Sequence, residues 1–188
     1  MVEFKKNVTT EYWDESLFDC EATREGARMM DEISRRYQGH RTRPDEEPLV
    51  IQDTEDQYPV EIINTGKTRV VIDMPDEWHT GTTDCIAKIQ WDPHYHQTSR
   101  EINVWENASG RVGALLAPIL DSSDMAQWII MPRAEFYTSL TPKEIGDIVR
   151  ELKGKLRELL PKATDIRRGN VGRIEGRDVV IDYGTLKL

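Results

Sequence analysis

The tightest constraint on the fold is one helix whose two ends are both written in the sequence. Thr141-Pro-Lys-Glu144 is a capping box with proline at the first helical position, a pattern that satisfies the free N–H groups of a helix start. Ile145, Ile148, Val149, Leu152, Leu156, Leu159 and Leu160 then recur at helical spacing, and Pro161 ends the run. A stripe this apolar has to be covered. Two short strands follow, Asn170 to Ile174 and Asp178 to Asp182, around a Glu175-Gly176 turn.

Upstream the pattern changes to β-type runs: Arg69 to Met74, then Asp84 to Trp91 with alternating apolar and polar positions, and later the short apolar run Gln127 to Met131. Thr98 to Asn107 reads as a helix with Ile102 and Trp105 on one face. A further helix is predicted from about Ser16 to Tyr37, and the charged, proline-containing stretch Gly39 to Pro48 reads as a linker. This order predicts an α+β fold: an N-terminal helical arm and linker over 1–48, then one domain over 49–188, β-rich to about 134 and helical with a small hairpin from about 135.

Bulk properties exclude some function classes. A net charge of −9 argues against broad binding to nucleic acid or to an anionic membrane, both of which need a basic surface. The most apolar stretch, Gly113 to Leu120, is far too short to span a bilayer. The two cysteines, Cys20 and Cys85, have no CxxC partner and cannot make a disulfide framework, which with the absence of an apolar leader core points to a reducing cytoplasm. His94-Tyr-His96 is a weak metal signal, because Pro93 and its polar surroundings suggest a loop.

The polar residues that stand out come in a particular order. After the capped helix, Asp165-Ile-Arg-Arg-Gly-Asn170 sets an Asp five residues before an Asn, and Asp182-Tyr-Gly184 follows the β run Val179-Val-Ile. Phosphoryl transfer uses such groups: one carboxylate to orient the attacking hydroxyl, an amide oxygen and a second carboxylate to hold magnesium against the phosphates. The pair resembles the catalytic loop and Asp-Phe-Gly motif of the protein-kinase-like family. Upstream, Ile86-Ala-Lys88-Ile is similar to the family's Val-Ala-Ile-Lys, one residue tighter, and Arg100-Glu101-Ile102 resembles the sequence around the glutamate that pairs with that lysine, with Glu106 as the alternative. Asn64-Thr-Gly66-Lys-Thr-Arg69-Val-Val71 lies where the glycine-rich loop belongs and keeps its middle glycine, Gly66, with Asn64 and Arg69 in place of the others. A phosphate-binding P-loop does not fit, since Glu61 occupies its first glycine and a β-branched run follows.

The resemblance covers about residues 60 to 184. It implies a two-lobed fold with a small antiparallel N-lobe sheet and a truncated helical C-lobe. It also implies an ATP- and Mg2+-binding phosphotransferase in which Lys88, held by Glu101, clamps phosphates, Asp165 orients the acceptor, and Asn170 and Asp182 hold the metal. Trp128 to Ala134 resembles the hinge strand, so Met131 would be the gatekeeper, backbone groups of Arg133 and Ala134 would bond adenine, and Gly66 would approach the phosphates. The departures are Ala163-Thr164 in place of the usual His-Arg, and a chain that stops four residues after Gly184 with no activation segment. They leave open a catalytically inactive module that regulates a partner protein. That reading predicts a partner or homodimer on the uncovered face of helix 141–160, unless the N-terminal helix covers it.

Overall fold

A computed structural model describes residues 12–38, 47–66, 68–92, 94–160 and 166–186, side chains of 47–51 excepted. The helices are α1 (Arg24–Tyr37), α2 (Glu47–Gln57), α3 (Gln97–Asn107), the single turn α4 (Gly110–Gly113) and α5 (Pro142–Leu159). The strands are β1 (Glu61–Thr65), β2 (Arg69–Asp73), β3 (Cys85–Gln90), β4 (Asp121–Ser122), β5 (Trp128–Pro132), β6 (Val171–Ile174) and β7 (Arg177–Val180). Five of them form one antiparallel sheet in the order β1-β2-β3-β5-β4, and β6 and β7 form a separate hairpin. The chain is therefore mixed α+β.

The pleat divides the sheet into two faces with different jobs. Successive side chains along β3 alternate, so Cys85, Ala87 and Ile89 share one face and Ile86, Lys88 and Gln90 the other. Register puts Val70 opposite Ile89, Ile72 opposite Ala87, Ile130 opposite Ala87 and Trp128 opposite Ile89, so all of these share the first face. All are buried, and α1 covers them with Met30, Ile33 and Tyr37. Trp128 Nε1 donates to Asp31 Oδ1 of α1 at 2.8 Å, and Ser34 Oγ donates to the Gln90 carbonyl at 2.6 Å. The second face, carrying Lys88 and Arg69, is covered by α3.

The predicted helix from Ser16 to Tyr37 is broken. A 3-10 turn spans Glu15–Asp19 and α1 begins only at Arg24, because the residues between them bond to a distant loop instead of to each other. Thr23 N–H donates to the Trp78 carbonyl at 2.9 Å and Thr80 N–H to the Glu21 carbonyl at 2.7 Å. Thr23 then caps α1 by accepting from Gly26 N–H at 3.1 Å. A Cβ on Gly26 would lie 2.1 Å from the Trp78 carbonyl oxygen, so this close docking requires glycine.

Helix α1 packs on the sheet, against β3 and β5. Helix α2 starts at Glu47, inside the stretch read as linker; residues 39–46 of that stretch lie outside the described residues. The capping box of α5 forms as written, and Leu152 and Leu156 are buried against β7, α4 and the 3-10 turn at Arg168–Asn170. Ile145, Ile148, Val149, Leu159 and Leu160 stay half-buried.

The β6–β7 hairpin closes through Glu175 and Gly176, both at positive φ (50° and 75°), the turn geometry whose twist matches antiparallel strands. It is tied to the rest at both edges. Glu135 and Arg173 exchange backbone bonds at 2.8 and 2.9 Å, while Val180 N–H donates to the Leu115 carbonyl and Ala117 N–H to the Val180 carbonyl, both at 2.9 Å. This docking carries the segment after β7 beneath the sheet.

Candidate functional site

Four charged side chains from four elements meet on the second face of the sheet. Lys88 projects from the centre of β3. Arg69, the first residue of β2, points the same way, because Val71 pairs with Lys88 and Arg69 is two residues from Val71. Glu101 comes from α3 and Asp182 from the segment after β7. Lys88 Nζ is 3.3 Å from Glu101 Oε1, Arg69 Nη1 is 2.6 Å from Glu101 Oε2, and Arg69 Nη2 is 3.1 Å from Asp182 Oδ1. Lys88 Nζ also donates to the Ile181 carbonyl.

The backbone and neutral side chains complete the arrangement. Tyr183 N–H donates to Glu101 Oε1 at 3.0 Å, and the buried Tyr183 hydroxyl donates to the Ala117 carbonyl at 2.9 Å. Gln97 Nε2 donates to Asp182 Oδ1 at 3.0 Å, and its own Oε1 accepts from Thr68 Oγ1 at 3.0 Å. Gly184 allows the tail this close to α3: a Cβ there would sit 2.9 Å from the Gln97 carbonyl oxygen and 3.2 Å from Glu101 Cγ.

Formally the two cations cancel the two carboxylates, which is what a site this dry requires. Glu101 is fully buried. Burial resists its ionisation, but Arg69 and Lys88 outweigh that and hold its carboxyl down to about 2. Burial pulls the Lys88 ammonium below the usual lysine range, against the attraction of Glu101. Burial and the nearby Glu101 charge both raise Asp182. Asp182 is the accessible member, with 36% of its side chain exposed against 7% for Arg69 and for Lys88.

Lys88, Glu101 and Asp182, singled out by the family resemblance, are thus in one place. Glu106 is exposed near the end of α3, so Glu101 is the lysine's partner. Asn170 is adjacent, since its carbonyl accepts from Ile181 N–H at 2.8 Å. Asp165 lies outside the described residues. Gly66 forms the β1–β2 turn, its N–H donating to the Arg69 carbonyl at 2.8 Å. Met131 is buried in β5 opposite Ile86. Arg133 N–H donates to the Asp84 carbonyl at 2.7 Å, and its guanidinium pairs with Asp73. Ala134 is packed against Gly172, where a Cβ would come within 2.8 Å of Ala134 Cβ.

Sequence reasoning missed Arg69. The signal was present as the substitution of a loop glycine by a cation two residues from the position opposite the lysine. Gln97 was missed too, and so was a second cluster on the other face of the sheet, Cys20, His79 and Cys85, which no spacing rule connects. A scan against protein-family models and a search of curated proteins each returned no match.

Proposed function

We propose that the chain is a kinase-like module that acts by binding a protein partner, with its phosphate site held shut by Arg69. One observation carries this reading: the Arg69 guanidinium bridges Glu101 and Asp182 where a kinase-like site would need open space for phosphates. A magnesium nucleotide needs the Lys88 amine and the Asp182 carboxylate turned toward the ligand. The Lys88–Glu101 pair is one that an open site would keep; what occupies the site is the further Lys88 bond to the Ile181 carbonyl and the hold of Arg69 and Gln97 on Asp182. Expelling Arg69 breaks a buried pair at about 3 kcal/mol or more, roughly a hundredfold in nucleotide affinity. The output would be protein binding, and α5, with Ile145, Ile148 and Val149 half-buried, is the surface this reading assigns to it.

A second reading rests on the exposure of Asp182: Mg-ATP binds, Arg69 swings onto the phosphates, and the chain is an active phosphotransferase. Thermal shift with Mg-ATP and a γ-phosphate transfer assay separate the two, since a ligand selective for the folded state raises Tm. The module reading expects no shift in the wild type at millimolar Mg-ATP and a shift in Arg69→Ala. Saturable stabilisation of the wild type, with turnover abolished in Asp182→Asn, overturns it in favour of the enzyme.

A further inference from the structure

We propose that Cys20, His79 and Cys85 form a Cys2His site for a divalent thiophilic cation of the zinc class, independent of the charge cluster under α3. The three residues come from separate segments: the cap of the 3-10 turn at Glu15–Asp19, the loop after the 3-10 turn at Asp76–Trp78, and the first residue of β3. All three are buried, and their donor atoms lie within 4.8 Å of one another. Cys20 Sγ is 3.6 Å from His79 Nδ1. Zinc bonds of about 2.3 Å to sulfur and about 2.0–2.1 Å to nitrogen at a tetrahedral angle give an S···N edge of about 3.6 Å, so this edge of the site is preformed.

The charge also fits. Binding breaks two S–H bonds, forms two metal–thiolate bonds and releases two protons to solvent. Two thiolates and a neutral imidazole cancel a divalent cation, which leaves no net charge in a buried place; a monovalent cation would leave one negative charge unpaired. His79 Nδ1 lies 2.9 Å from the Thr80 carbonyl oxygen. Without the cation an Nδ1–H donates there. With it the proton moves to Nε2, the Nδ1 lone pair binds, and the fourth position falls to water or that carbonyl.

The site's place in the fold gives it a purpose. It sits where the N-terminal segment is joined to the sheet, beside the Thr80 Oγ1 bond to the Asp19 carbonyl at 2.8 Å and the Thr23 bond to Trp78. Cys85 lies three positions before Lys88 on β3 and so on the opposite face. A cation here would staple the α1 side of the domain and leave the α3 side untouched.

The test uses the whole chain, purified with reductant, stripped with chelator and reloaded with Zn2+ or, as a spectroscopic probe, Co2+. One equivalent of retained zinc, a thiolate-to-cobalt charge-transfer band and a Tm raised by Zn2+ are expected. Cys20→Ser, His79→Gln and Cys85→Ser should each weaken binding at least about 100-fold, since loss of a ligand exceeds the loss of a supporting contact. The cobalt spectrum of the wild type keeps the test decisive even if a variant misfolds. A folded wild type with two titratable thiols, no retained zinc and no such band overturns the proposal, as does retention that survives in all three variants.

Discussion

Glu101→Gln is the sharpest perturbation of the charge cluster, because it keeps the shape of the side chain and removes only its charge. Glu101 neutralises two buried cations, Arg69 at 2.6 Å and Lys88 at 3.3 Å, and accepts from Tyr183 N–H. Removing one partner of a buried pair costs about 3–5 kcal/mol, because the remaining charge is left without compensation. The titration of the group gives a second route to the magnitude. Its carboxyl is held at about 2 against a usual 4.5. At about 1.4 kcal/mol per pH unit, that depression is worth about 3 kcal/mol of stability. The two routes agree, so the variant should lose about 3–5 kcal/mol.

Urea unfolding at pH 7, followed by tryptophan fluorescence, reads this loss directly. With a slope of about 2 kcal/mol per M, the midpoint should fall by roughly 1.5–2.5 M. The sign of a second change is more diagnostic. Adding Arg69→Met to Glu101→Gln removes one of the stranded cations, so the double variant should be more stable than Glu101→Gln alone. A loss below about 1 kcal/mol, or a double variant that is less stable still, would refute the account of a dry, mutually neutralised cluster. The sign of the pH dependence follows as well. A depressed carboxyl stabilises fully above its unfolded value of 4.5, and the contribution is lost as pH falls through about 2.

Other outcomes follow from close approaches. Gly26→Ala would normally stabilise a helix by about 1 kcal/mol; here the new methyl meets the Trp78 carbonyl, so Tm should fall, and a rise would mean that α1 does not dock as described. Gly184→Ala should push Asp182 and Tyr183 away from α3 and expose the Tyr183 ring, read as increased tyrosine accessibility with α3 still helical by circular dichroism. Unchanged accessibility and unchanged Tm would show that the tail does not pack there.

Helices α3 and α5 and strands β2, β3 and β5 were legible because their signals are local, whereas α2 begins in a stretch that reads as linker. The α5 capping box and its leucine spacing lie within one segment, and β2, β3 and β5 stand out as β-branched or alternating runs. The lysine, glutamate and aspartate of the cluster stood out for a different reason: each lies in a short motif that resembles one of the protein-kinase-like family. The break between the Glu15–Asp19 turn and α1 was not legible, since it depends on bonds to residues 77–80, far along the chain.

By itself the sequence determined an α+β chain with a capped amphipathic helix and a final hairpin, and it offered, through a family resemblance, an ordered set of charged residues. Only the tertiary structure decided what those charges face. Pleat and register turned Arg69 to the same side as Lys88 and brought it between Glu101 and Asp182, while on the other face they set Cys85 beside Cys20 and His79. The physical reason is distance along the chain. Whether a buried charge or thiol meets a ligand or another side chain depends on contacts between remote segments, and those exist only once the sheet has closed.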